Sequence, residues 1–266
     1  SLVPTSITPG LRATRQSARL SCEMKTALEN VFAGARNSAG TALYAGFPYD
    51  PGIAGSGWAA WKQSNSITLD PAAMAFTFMT PPKSAATLAN LAGFALGFDM
   101  DADAPAIFAT NGTYTQSAWS FMTPPDETNL SALKSRGAKM FVYHGTGDPV
   151  FSFDDTRDWY ERVAQANGGS AADFVRFYPV PGMNHCSGGP AADQFDMLTP
   201  LVAWVEQGQA PAAIVAAARD ATNAVPNADV PASWGVGRTR PLCPYPQVAR
   251  YNGSGDLNSA ANFSCR

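Results

Sequence analysis

Only two histidines, His144 and His185, occur in 266 residues, and charged side chains make up just 15% of the chain. Any chemistry that needs an imidazole therefore falls on one of these two positions. Excess positive charge is also missing: 18 Lys and Arg stand against 21 Asp and Glu, a net charge of -3, with no basic cluster along the chain. That balance lacks the electrostatic footprint of a nucleic-acid binder. No apolar run approaches the roughly 18 residues a membrane span requires, since patches such as AMAFTFM (73–79) are interrupted by polar residues or Pro. Neither nucleic acid nor membrane is an expected partner. Cysteine is scarce and unclustered: Cys22, Cys186, Cys243 and Cys265 form no C-x-x-C pair and no zinc spacing with histidine. Disulfides in an oxidising compartment, secreted or periplasmic, are the expectation, and no metal ligand is assigned. The opening SLVPTSITPGLRATRQ (1–16) has neither an initiator Met nor the order of a signal peptide. The chain is accordingly expected to start after a cut or to be part of a longer polypeptide.

What the chain does have is 45% hydrophobic residues, enough for one large core or two smaller ones. Its texture changes at TPPDE (123–127). Before this point the sequence is rich in Ala, Gly, Pro and aromatics and reads as an elaborated loop region with a few helices. The clearest is SCEMKTALENVFAGAR, where Met24, Leu28, Val31 and Phe32 share one face and Gly34 supplies a stop. After it, strand and helix alternate. KMFVYHG (139–145) and DFVRFYPV (173–180) read as buried strands. SFDDTRDWYERVAQANGG reads as a helix with an acidic first turn and a stop at Gly168. DQFDMLTPLVAWVEQG reads as another, with Phe195, Leu198, Leu201, Val202 and Val205 inward, a bend at Pro200 and an end at Gly208. Two such units predict an α/β fold with a parallel sheet, whose ligands sit beyond the carboxyl ends of the strands.

Asp148 lies just past the first strand, in GTGDPVFS, and His185 just past the second, in VPGMNHCSGG. Singly, an Asp in a Gly/Pro turn and a His in a loop have ordinary structural roles. On consecutive strand ends they form the acid and base of a hydrolase triad, in the order acid then histidine. The nucleophile expected upstream, on a G-x-S-x-G elbow, is not found. Ser38 in RNSAG lacks the leading Gly and follows a helix, and Ser254 in NGSGD comes after the histidine. Cys186, adjacent to His185, points away from it on an extended turn and is better read as a disulfide partner. Cys243 and Cys265 bracket a loop-rich tail too poor in apolar residues to order itself, and a bridge between them is expected.

YHGTGDPVFS, VPGMNHCSGGPAADQFDMLTPLVAWVEQGQAP and RTRPLCPYPQVARYNGSGD closely resemble the C-terminal half of the tannase and feruloyl esterase family, especially its mono(2-hydroxyethyl) terephthalate hydrolase branch. The resemblance extends over essentially the whole chain. It implies the C-terminal part of an α/β-hydrolase catalytic domain in residues 127–266 and part of a large lid in residues 1–126. It also implies hydrolysis of aromatic acid esters (galloyl, feruloyl or terephthalate monoester) through a serine absent from this chain, with Asp148 and His185 as triad acid and base. Trp61 in GWAAWK, Phe151 and His144 match residues lining the substrate site. Cys186 matches the cysteine bonded to one beside the nucleophilic serine, Cys243 with Cys265 matches the C-terminal disulfide, and Cys22 matches a lid cysteine with an upstream partner. The expected partners are thus the N-terminal half of the same enzyme and a small aromatic ester. No cofactor is expected in this chain, because the family's lid calcium site would lie upstream; DMDADAP (99–105) lacks the spacing of a calcium loop. One departure concerns specificity. The terephthalate branch holds its substrate carboxylate with an arginine after the tryptophan, whereas residues 62–82 contain no arginine and only Lys62 as a cation. The competing reading from another class is a non-catalytic aromatic-binding or interaction fragment without a nucleophile.

Overall fold

The computed structural model describes residues 21–266; the opening SLVPTSITPGLRATRQ and the rest of the first 20 residues of the expected lid portion lie outside the described residues. Strands β1 (Met140–Gly145) and β2 (Val175–Val180) pair in parallel, from Met140 opposite Val175 to Gly145 opposite Val180. A parallel pair is covered on both faces, which is why the apolar residues of β2 run on without alternating. Phe177 and Tyr178 are neighbours, both fully buried, on opposite faces. Phe177 packs with Phe153, Tyr160 and Val163, and Tyr178 with Met183, Ile214 and Leu242.

The first of these faces is covered by α2 (Phe153–Ala166), following α1 (Cys22–Ala33) in the chain. The Ser152 hydroxyl caps α2 by accepting from Asp154 N–H, Asp154 and Asp155 place negative charge at its positive end, and the chain leaves through Gly168 at φ +76°. The other face is covered by a three-stranded antiparallel sheet of β3 (Gln194–Phe195), β4 (Ile214–Ala217) and β5 (Thr239–Leu242), together with α3 (Leu198–Gln207). The Trp204 ring from α3 stacks on Phe141 of β1, with centroids 5.4 Å apart.

The expected helix over 193–208 needs correction. Gln194–Phe195 is a strand, and α3 begins only at Leu198 because the Asp196 carboxylate accepts from the N–H groups of Leu198 and Thr199. Leu198, Val202 and Val205 are exposed, and Trp204 is the buried side chain. Pro200 falls in the first turn, where its missing N–H costs no intrahelical bond. The apolar face expected on α1 is also mostly open: Phe32 is buried, whereas Met24 and Val31 are exposed. Elsewhere before Pro124 the described backbone is short helical turns and irregular chain, with one isolated bridge between Arg36 and Ala42.

The tail forms an antiparallel pair, β6 (Ala249–Tyr251) with β7 (Phe263–Cys265), and a disulfide joins Cys243 to Cys265 across 22 residues. Replacing both cysteines by Ser should lower unfolding stability by about 2–4 kcal/mol through a less restrained unfolded chain. Urea unfolding measures this, and an unchanged midpoint would show that the tail's own contacts suffice.

Candidate active site

Both strand ends deliver their loops to one place. After β1 the chain turns through Thr146 and Gly147 to Asp148; after β2 it turns through Gly182 to Asn184 and His185. The two loops meet with His185 Nδ1 2.9 Å from Asp148 Oδ2, while Nε2 has no partner among the described residues. Asp148 is 5% exposed. Its Oδ1 accepts from Val150 N–H at 2.7 Å and Phe151 N–H at 3.1 Å, and its Oδ2 is also 3.2 Å from His144 Nε2. Burial alone would push this carboxyl up, but the hydrogen bonds from His144, His185, Val150 and Phe151 outweigh it and hold Asp148 below the usual carboxylate range. Asp148 therefore stays ionised, orients the ring and can stabilise an imidazolium, leaving Nε2 free to exchange a proton.

Two aromatic rings flank the His185 imidazole, Trp61 with centroids 5.8 Å away and Phe151 at 5.4 Å. Trp61 and Phe151 also line a cavity of about 890 Å³ with Tyr44, Phe47, Lys62 and Met74. Trp61 and Lys62 lie on a π-helical turn (Ala60–Asn65), a local widening of the helix that is common at functional sites. The Lys62 ammonium sits over the Phe47 ring, 3.1 Å from its centroid. The His144 ring that reaches Asp148 has its Nδ1 2.8 Å from Thr156 Oγ1 and its Nε2 also 3.2 Å from Phe151 O.

A third segment, from before Trp61, is bonded to both loops. Thr146 Oγ1 donates to Asp50 Oδ2, Asp50 Oδ1 accepts from Gly52 N–H, and Gly182 N–H donates to Thr146 Oγ1. Asn184, buried beside His185, donates from Nδ2 to Gly52 O at 3.0 Å and Gly147 O at 2.9 Å, tying all three segments together. Sequence reasoning passed over Asn184, Asp50 and Gly52. The only available signal was an Asn next to the histidine, and a lone Asn in a glycine-rich turn has many ordinary roles. The outer part of the His loop is held by the buried Asp193, paired with Arg219 and accepting from Gly188 N–H, and by Asp229, which accepts from Gly189 and Ser56 N–H.

Cys186 and Cys22 are exposed and unpaired among the described residues, and Cys186 is a non-glycine residue at φ +62°. The Ser38 hydroxyl donates to Asp101, away from His185, and Ser254 lies exposed in the tail. Asp99, Asp101 and Asp103 engage local N–H groups, Ser38 and Lys83. Among the described residues no three or more His, Cys, Asp or Glu side chains are grouped to hold a metal ion, and no helix is long and apolar enough to cross a membrane.

A Cβ on Gly52 would meet Gly147 Cα at 2.7 Å and Gly182 O at 2.9 Å. Both are backbone, so Gly52→Ala should separate the Asp and His loops and lower thermal stability by about 1–3 kcal/mol; an unchanged melting temperature would mean that the loops yield freely. Lys62 is pushed down to about 8 by burial, against the attraction of Asp148 and Asp70. Its folded pKa lies below the unfolded one, so the folded state binds this proton less tightly and the ammonium costs stability below pH 8. Lys62→Met should stabilise the fold at pH 7 by on the order of 1 kcal/mol, discounted for partial exposure, with the gain fading toward pH ~10.5. Unfolding curves at pH 7 and pH 10 check the direction, and a loss of stability at pH 7 would refute it.

Residues 20–266 match the family described as "Tannase and feruloyl esterase". The chain is 45% identical over 260 residues to a mono(2-hydroxyethyl) terephthalate hydrolase from Piscinibacter sakaiensis, covering 90% of this chain and 41% of that protein. It is 29% identical over 156 residues to feruloyl esterase B from Aspergillus niger, covering 52% of this chain and 28% of that one. The chain thus spans less than half the length of these relatives. Among solved structures it superimposes on an esterase from Aspergillus oryzae with a TM-score of 0.60 at 21% identity, over 98% of this chain and 49% of that one. A tannin acyl hydrolase from Aspergillus niger gives 0.58 at 16% identity, over 92% of this chain and 42% of that one. At those identities the likeness is one of fold.

Proposed function

The chain belongs to the tannase and feruloyl esterase family, and from that premise we propose that it is the acid-and-base-bearing part of a serine carboxylic ester hydrolase acting on esters of aromatic acids. One observation carries the reading. Asp148 and His185 share a 2.9 Å hydrogen bond at the ends of two adjacent parallel strands, with Nε2 unpartnered among the described residues and the Trp61 and Phe151 rings 5.8 Å and 5.4 Å from the imidazole. A buried carboxylate, an imidazole aimed outward and an aromatic-lined cavity suit acyl transfer to and from a flat acid.

In the proposed reaction, a serine from another part of the enzyme attacks the ester carbonyl as His185 Nε2 takes its proton. Asp148 stabilises the imidazolium, and Nε2 then protonates the departing alcohol; water reverses the sequence to release the acid. Residues 127–266 serve as the C-terminal part of an α/β-hydrolase domain, and residues 1–126 as part of a lid whose 45–61 segment contributes Trp61. The open edge of the sheet supports a missing neighbour, because among the described residues β1 pairs with β2 alone, whereas parallel sheets are normally enclosed. Cys186, exposed beside His185, serves as the disulfide link to a cysteine near that serine, and Cys22 as a link to a cysteine upstream. The tail disulfide suits secretion or a periplasmic location.

In the complete enzyme, His185→Ala should reduce turnover of aromatic methyl esters by about 10³-fold or more. Hydrolysis assays on methyl ferulate, methyl gallate and a terephthalate monoester test both the base and the acyl class. Near-normal rates in the variant, or no hydrolysis of any of the three by the wild type, would refute the reading; the latter would favour an aromatic-binding fragment.

A further inference from the structure

The two histidines do different work on the same oxygen. His144 Nε2 faces two groups that only accept, Asp148 Oδ2 and Phe151 O, each 3.2 Å away, so this nitrogen must carry a proton to bond to either. Its Nδ1 lies 2.8 Å from Thr156 Oγ1, a hydroxyl on the first turns of α2 that can donate to a ring lone pair. The His144 side chain is 13% exposed and lies edge-on to Phe153 at 6.0 Å. Both ring nitrogens of His144 are thus engaged within the protein.

We propose that His144 is a positioning residue, in which the Thr156 hydroxyl donates to Nδ1, fixes the proton on Nε2 and so makes Nε2–H a permanent donor to Asp148 Oδ2. This rests on the reading of Asp148 and His185 as acid and base. Asp148 Oδ1 is pinned by Val150 and Phe151 N–H, and Oδ2 is shared by the two imidazoles. Removing the His144 donor would leave Oδ2 held by His185 alone, the ring that must move between proton donor and acceptor during turnover. The Lys62 ammonium also feels the charge of the carboxylate. The dyad thus separates two tasks: His144 fixes where the carboxylate points, and His185 exchanges the proton.

In the complete enzyme, ¹⁵N-histidine labelling reads the two tautomers, with the His144 and His185 signals assigned by their loss in His144→Gln and His185→Ala. At pH 8, His144 should show a protonated Nε2 and bare Nδ1, and His185 a protonated Nδ1. Thr156→Val should reduce the Nε2–H form of His144 and broaden the His185 signals, while Thr156→Ser keeps both. In the complete enzyme, His144→Leu should lower kcat at least about tenfold with KM within about twofold, and His144→Gln, which retains a donor near Nε2, should recover most of the loss. A protonated Nδ1 on His144, or equal losses for Leu and Gln, would overturn the proposal. Activity surviving His185→Ala would instead sink the esterase reading while leaving the tautomer result standing.

Discussion

A single buried carboxylate organises this structure. Asp148 takes four hydrogen bonds, two from the backbone of its own loop and two from imidazoles. An ionised group at that depth is tolerated only when its lone pairs are occupied by donors held in place. The loop after β1, the ring of His144 on β1 and the loop after β2 are all constrained by that demand. Disturbing any one of them leaves a buried charge short of a donor, so the site is stiff where the chemistry needs it to be.

That stiffness depends on backbones coming unusually close. The Asp loop, the His loop and the 50–55 segment meet at Gly52, Gly147 and Gly182, with Asn184 supplying the polar links between them. Glycine is required at Gly52 by proximity, since any Cβ would enter a neighbouring backbone. Farther out, the paired Asp193 and Arg219, with Asp229, hold the glycine-rich return of the His loop from the other side. His185 therefore sits on a loop fixed at both ends, and the aromatic neighbours Trp61 and Phe151 meet it from two separate segments.

Much of the scaffold was legible because its signals were local. Short apolar runs mark β1 and β2, the Ser152 cap with Asp154 and Asp155 marks α2, and two cysteines in an apolar-poor tail mark the disulfide. Signals failed where tertiary packing decides the face. The apolar stripe of α3 points partly to solvent because Trp204 claims the contact with Phe141, and the stripe of α1 buries little beyond Phe32. The Asx turn at Asp196 also shifted the start of α3 by competing for its first N–H groups.

By itself the sequence determined the strand and helix alternation, the strand-end positions of Asp148 and His185 and the cysteines of the tail bridge, since each depends on composition and spacing along the chain. Only the tertiary structure decided that Asp148 is shared between two histidines, that Thr156 reaches the second, and that Asn184 and Gly52 bind three distant segments together. Those contacts span up to 132 residues of sequence. The contacts of His185 and Asn184 exist only once the parallel strands have brought their carboxyl ends to the same edge.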